Sequence, residues 1–217
     1  MINLLIMGKP GAGKGTQSKK ILDYYHLAHI STGDIYREEI KKGSEIGLEA
    51  IKYLNEGNLM PDKMTNDIVW DVLSSNKFEN GFMLDGYPRT IAQAKALDEM
   101  LTKLKIKLTS VINVNVEDDV IIHRMAGRRV CSNCGETYHI DYHPTKVPGI
   151  CDVCHHKLIQ RPDDLEASVL HRLNIYKNKT QPLLDYYQEQ NILMVVNGEK
   201  GSDDVFNTII KNLGELT

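Results

Sequence analysis

Short apolar runs alternate with longer stretches of helical spacing along this chain. Residues 2–7 form an apolar run, the pattern of a strand buried on both faces. A glycine-rich loop, residues 8–16, follows, and then apolar positions at helical spacing to about residue 25. Residues 27–30 read as a short second strand. Ser31, Thr32, Gly33 and Asp34 supply helix-starting chemistry before the stretch 35–40. Further helices are predicted from about 44 to 56, closed by Gly57, and from Pro61-Asp62 through Ile68, Val69, Val72 and Leu73. Residues 81–85 read as a third buried strand that ends in a carboxylate, and a helix with Ala92, Ala94, Ala96 and Leu97 comes after it. A fourth strand is expected at 111–116, and a helix with acids in its first turn begins at 117–119.

Between 127 and 164 the texture changes to cysteines, glycines, prolines and β-formers. Helical spacing returns over 165–189, a fifth strand is expected at 192–196, and a last helix starts near Asp203. Strands that alternate with helices predict an α/β fold, a parallel sheet covered on both faces. The stretch 127–164 reads as an inserted module.

Composition adds limits rather than detail. The 217 residues suffice for one substantial core, and 41% hydrophobic with 25% charged residues is an ordinary globular balance. A net charge of −3 argues against nucleic acid or an anionic membrane as partner. Phosphate binding would require positive charge gathered locally. Met1 runs into the apolar segment without a basic flank or cleavage site, and no apolar run approaches the ~20 residues of a membrane span. We therefore expect a cytoplasmic protein, and a monomer, since no oligomerisation stripe stands out.

Two motifs carry chemistry. The first is Gly8-Lys9-Pro10-Gly11-Ala12-Gly13-Lys14, a G-x-x-x-x-G-K phosphate loop set between a predicted strand and helix. Its glycines let backbone N–H groups point at phosphate oxygens, and Lys14 reaches the terminal phosphates. Gly15 separates that lysine from Thr16, where the strict motif has Ser or Thr directly. The second motif is Cys131 and Cys134, then sixteen residues, then Cys151 and Cys154. Two C-x2-C pairs at that spacing predict a zinc site. Four thiolates leave no open position, so the metal is expected to be structural, stapling a module too small for its own core. His155 and His156 as substitute ligands, iron, or two disulfides are the alternatives. Trp70 and the pair Tyr186-Tyr187 are expected to pack, and His26, His29, His123 and His171 lack ligand spacing.

The loop G-x-P-G-A-G-K-G-T resembles that of adenylate kinases. Three further segments agree in order: Ser31-Thr32-Gly33-Asp34 with Arg37, Asp85-Gly86-Tyr87-Pro88-Arg89-Thr90 with Gln93, and Arg124 with Gly127-Arg128-Arg129. The length of the 127–164 module resembles the long bacterial form, and its cysteines the zinc-containing subgroup. This resemblance implies the P-loop nucleoside monophosphate kinase fold, a five-stranded parallel sheet with a small β-rich zinc lid. The implied division is core at 1–30, 61–126 and 165–217, an AMP-binding region at 31–60 and the lid at 127–164.

The implied activity is reversible phosphoryl transfer from MgATP to AMP, giving two ADP. The resemblance assigns the donor phosphates to Gly11, Ala12, Gly13, Lys14, Gly15 and Thr16. It assigns AMP to Thr32, Arg37, Asn58, Leu59, Met60, Gly86, Tyr87, Pro88, Arg89 and Gln93, with Arg37 and Arg89 clamping phosphate and Gln93 reading the adenine edge. By the same resemblance, Arg124, Arg128, Arg161 and Arg172 would converge on the transferring group and its neighbours. It likewise implies that Thr137, Tyr138 and the backbone of Lys200 would flank the donor base and ribose, and that Asp85 would hold Mg2+ through water. Lys9 departs from the family and is expected to point away from the phosphates. Arginine suits such a site because its planar fork binds phosphate bidentately and stays charged. Another nucleoside monophosphate kinase, for UMP and CMP or using GTP on AMP, and a zinc-ribbon nucleic-acid-binding ATPase, are the competing readings.

Overall fold

The computed structural model describes residues 1–75 and 78–214. Five parallel strands form its main sheet: β1 (Ile2–Met7), β2 (Ala28–Ser31), β3 (Gly81–Asp85), β4 (Ser110–Asn115) and β8 (Leu193–Asn197). Their order across the sheet is β2-β3-β1-β4-β8. Parallel neighbours need crossover connections, and helices supply them.

Alternation along β1 shows why the sheet is covered twice. Leu4 and Ile6 face one layer, with Ile21 of α1 (Lys14–Tyr25), Met125 of α6 (Asp118–Gly127), Val169 of α7 (Glu166–Ile175) and Ile209 of α9 (Ser202–Gly214). Leu5 and Met7 face the other, with Val69 and Leu73 of α4 (Asp62–Ser75), Leu97 and Leu101 of α5 (Ile91–Leu104), and Leu183 and Tyr187 of α8 (Pro182–Glu189). Period-two alternation buries both faces. Trp70 and Tyr186 join the second layer as partly buried packing residues, as their sequence suggested.

Two smaller units stand on this core. Helices α2 (Thr32–Lys42) and α3 (Glu45–Glu56) gather around Tyr36, Ala50 and Met60. Ser31 caps α2 by accepting from the Asp34 N–H, and Ser44 caps α3 by accepting from the Gly47 N–H. A three-stranded antiparallel sheet, in the order β6 (Thr137–His139), β5 (Arg128–Cys131), β7 (Leu158–Ile159), has a core of Cys131, Tyr138 and Cys151.

The expected continuous helix over 165–189 is interrupted. Between α7 and α8 the backbone widens into a π-turn, Tyr176–Thr180, and the Gln181 N–H bonds to Tyr176 O at 2.8 Å. Pro182 has no N–H to give and sits at the start of α8, where none is needed. The wider turn lets the Thr180 hydroxyl donate to the Arg89 carbonyl at 2.9 Å.

Candidate active site

All five strands of the main sheet run the same way, so their C-terminal ends share one edge, and the site is built there. The loop between β1 and α1 turns through three glycines with positive φ, Gly8, Gly11 and Gly13. At Gly8 a Cβ would lie 2.6 Å from the Val114 carbonyl, so the loop can hug β4 only without a side chain. Gly13 starts α1 without a side-chain cap, which leaves the helix's first N–H groups for an anion. The Lys14 ammonium donates to the carbonyls of Gly8 and Lys9, at 2.8 and 2.9 Å.

One pocket brings together Gly8, Lys14, Leu59, Gly86, Pro88, Arg89 and Arg172. Burial pushes Lys14 down to about 8; Asp85 opposes the shift, and Arg89, Arg172 and Arg128 add to it. Burial likewise lowers Arg172 and Arg161 to about 10, with Arg128 adding to both shifts. It lowers Arg89 too, with Arg37 adding to the effect. Each cation disfavours the charge of its neighbours, so the cluster is poised for a polyanion.

Two acids that the sequence reading passed over hold part of this cluster. Arg128 donates through two nitrogens to the carboxylate of buried Asp164, one contact being Nε–Oδ2 at 2.8 Å. Arg172 donates to Asp163 Oδ2 at 2.6 Å. Both acids follow Arg161-Pro162 in one turn, Pro162–Asp164, and that juxtaposition of acids with a basic residue was the available signal.

Other expected residues lie around the pocket. Half-buried Arg37 pairs with Asp34 at 2.5 Å, and Thr32 donates to the Gly86 carbonyl at 3.1 Å. Asn58 Oδ1 meets His171 Nε2 at 2.8 Å, and Met60 is buried. The Tyr87 hydroxyl donates to Asn66 Oδ1 at 2.7 Å and also contacts the Gln93 carbonyl at 3.1 Å. Gln93 is buried, its Oε1 accepting from the Arg89 N–H at 2.7 Å and its Nε2 donating to Asp62 at 2.8 Å. Asp85 ends β3 and lies 3.7 Å from His29 Nε2. Gly15, Thr16, Thr137 and Lys200 are exposed. Arg124 donates to the Gly198 carbonyl at 3.0 Å and, like Thr137, Tyr138 and Lys200, does not line the pocket. Tyr138 turns into the small sheet's core, where its hydroxyl lies 3.4 Å from Cys151 Sγ and accepts from the Asp152 N–H at 2.9 Å. Lys9 reaches Asp118 at 2.5 Å. Glu136 of the cysteine module reaches back to Lys19 of α1, at 3.1 and 3.4 Å.

The four cysteine sulfurs lie within 4.8 Å of one another, with Cys131–Cys154 at 3.3 Å and Cys134–Cys151 at 3.6 Å. Tetrahedral zinc with Zn–S near 2.3 Å spaces its sulfurs by about 3.8 Å, so the cluster fits that ion. The backbone N–H of His156 holds Cys154 down to about 5, toward the thiolate a metal needs. His155 and His156 are exposed and stand outside the metal-sized group found among the described residues.

A phosphate loop on the C-terminal edge of a parallel sheet, faced by half-buried cations, defines a P-loop phosphotransferase. The profile of the family described as "Adenylate kinase" matches residues 6–192. Proteins named adenylate kinase from Agathobacter rectalis, Acetivibrio thermocellus and Finegoldia magna are 50%, 49% and 47% identical to this one. The matches cover 99%, 98% and 98% of this chain and 100%, 98% and 99% of those proteins. The chain belongs to the adenylate kinase family and is a nucleoside monophosphate kinase.

Proposed function

We propose that the protein moves the terminal phosphoryl group of ATP onto AMP by gathering cations from separate segments around two nucleotides laid tail to tail. The observation that carries this reading is the placing of Lys14, Arg89 and Arg172 in one pocket against the phosphate loop, with Arg128 in electrostatic reach. Two polyanions repel each other, and the transition state spreads charge over equatorial oxygens. Preformed donors offset both effects, so catalysis is positioning and charge stabilisation.

In this reading residues 11–16 hold the donor phosphates. Arg37 leaves Asp34 to clamp the acceptor phosphate with Arg89. Arg124, Arg128, Arg161 and Arg172 face the transferring group, and Thr137, Tyr138 and Lys200 lie on the donor side. Thr32, Asn58, Leu59, Met60, Gly86, Tyr87, Pro88 and Gln93 enclose the acceptor nucleoside. Asp85 would hold magnesium through water, and the ion would supply positive charge against the donor phosphates. The cysteines would hold zinc as a structural staple of the lid.

Water competes with AMP as acceptor, so closure has a physical task. Residues 127–164 would close over the donor and 31–60 over AMP, against a core of 1–30, 61–126 and 165–217. We place the protein in the cytoplasm as a monomer; no helix among the described residues is long and apolar enough to cross a membrane.

The test mixes protein with MgATP and AMP and follows ADP, with AMP omitted as control. ADP formed only when AMP is present supports the reading. Equal ADP in its absence would make the protein a hydrolase and end it.

A further inference from the structure

We propose that Asp62 is a specificity-determining positioning residue: it locks the Gln93 amide in the one orientation that accepts a 6-aminopurine and refuses a 6-oxopurine. The inference rests on the reading above, in which Gln93 faces the acceptor base.

A glutamine amide is nearly symmetric in shape, and only its hydrogen-bond partners decide which end is oxygen. Here both ends are decided. The carboxylate of Asp62, at the first position of α4, can only accept, so the group 2.8 Å from it is the amide nitrogen. The backbone N–H of Arg89 can only donate, so the group 2.7 Å from it is the amide oxygen. Asp62 is itself held, accepting from the Thr90 hydroxyl at 3.1 Å, and Thr90 Oγ1 caps α5 by accepting from the Gln93 N–H at 3.1 Å. The carboxylate therefore pins Gln93 from α4, a different helix from the one that carries it.

Two partners leave the amide one N–H and one oxygen lone pair. Adenine offers their complement: N1 accepts and the 6-amino group donates. A 6-oxopurine reverses both groups, so N1–H would meet N–H and O6 would meet the amide oxygen. Mismatched buried polar groups discriminate strongly, because each is left unpaired. Were the amide free to turn over, it could serve either base.

The test compares kcat/KM for AMP and for inosine monophosphate, with MgATP as donor, in the full chain and its variants. Asp62→Ala is expected to lower the AMP-to-IMP ratio by about tenfold or more, the scale of one lost charge-assisted hydrogen bond. Asp62→Asn can still accept from Nε2 and is expected to keep the ratio within about threefold of the parent. Asp62→Ser removes the carboxylate but retains a helix-starting residue, and it carries the test if Asp62→Ala does not fold. A loss of activity equal for both nucleotides would mean a merely structural role and would overturn the proposal. Gln93→Leu separates the two levels of inference. If it collapses the ratio while Asp62→Ala and Asp62→Ser leave it intact, Gln93 reads the base unaided and the proposal fails. If Gln93→Leu leaves the ratio unchanged, the base-reading role itself fails.

Discussion

Burial beside three guanidinium groups brings Lys14 down to about 8, well under its ordinary value. Bound phosphate favours the charged ammonium and draws the value back up. The sign follows from linkage: phosphate affinity is level below pH 8 and falls as the pH rises above it, because binding then requires proton uptake. For a pKa of about 8, calorimetric binding of ATP without magnesium is expected to be roughly tenfold weaker at pH 9 than at pH 7. The folding stability of the protein moves the other way. Its unfolded chain holds more protons on this lysine between about pH 8 and 10.5, so stability gains there from this group. Lys14→Ala or Arg89→Ala is expected to lower turnover by at least about a hundredfold while circular dichroism stays native. A folded variant with near-parental turnover would remove the residue from the site.

Among the elements, strands and helices of the core were legible in the sequence because their patterns are local. Residues 2–7 and 81–85 are both observed strands. The width of the break at Tyr176–Thr180 was not legible, because helical spacing continues through it; Pro182 marked a helix start, but the bond from Thr180 to Arg89, 91 residues away, forms only on folding. The same holds for the site. The phosphate loop announces itself by spacing, whereas the carboxylates of Asp62, Asp163 and Asp164 acquire their partners only on folding. The cysteine element has its own expectation. A chelator that strips metal is expected to lower the melting temperature and loosen residues 127–164 in hydrogen exchange, leaving the main sheet protected. Metal analysis well under one equivalent per chain, on protein purified without oxygen, would count against the site.

For the whole molecule, the contact between the core and the cysteine module is the quantity that salt can reach. The Lys19–Glu136 pair joins the core to the cysteine module across exposed surface, so salt should screen it more than the half-buried arginine cluster. Glu136→Gln is expected to raise the KM for ATP by no more than about fivefold, the range of an exposed ion pair, with kcat nearly unchanged. A fall in kcat with unchanged KM would place Glu136 in the chemical step instead.

The common direction of the five strands also sets durability apart from turnover. Asn3 sits at the far end of β1 from the phosphate loop. Its side chain donates to the Lys107 carbonyl, and its backbone exchanges bonds with Thr109. Asn3→Ala is expected to cost about 1–2 kcal/mol in a denaturant melt with kcat unaltered. That rim can be reinforced or worn down over many generations while the opposite rim goes on working as before.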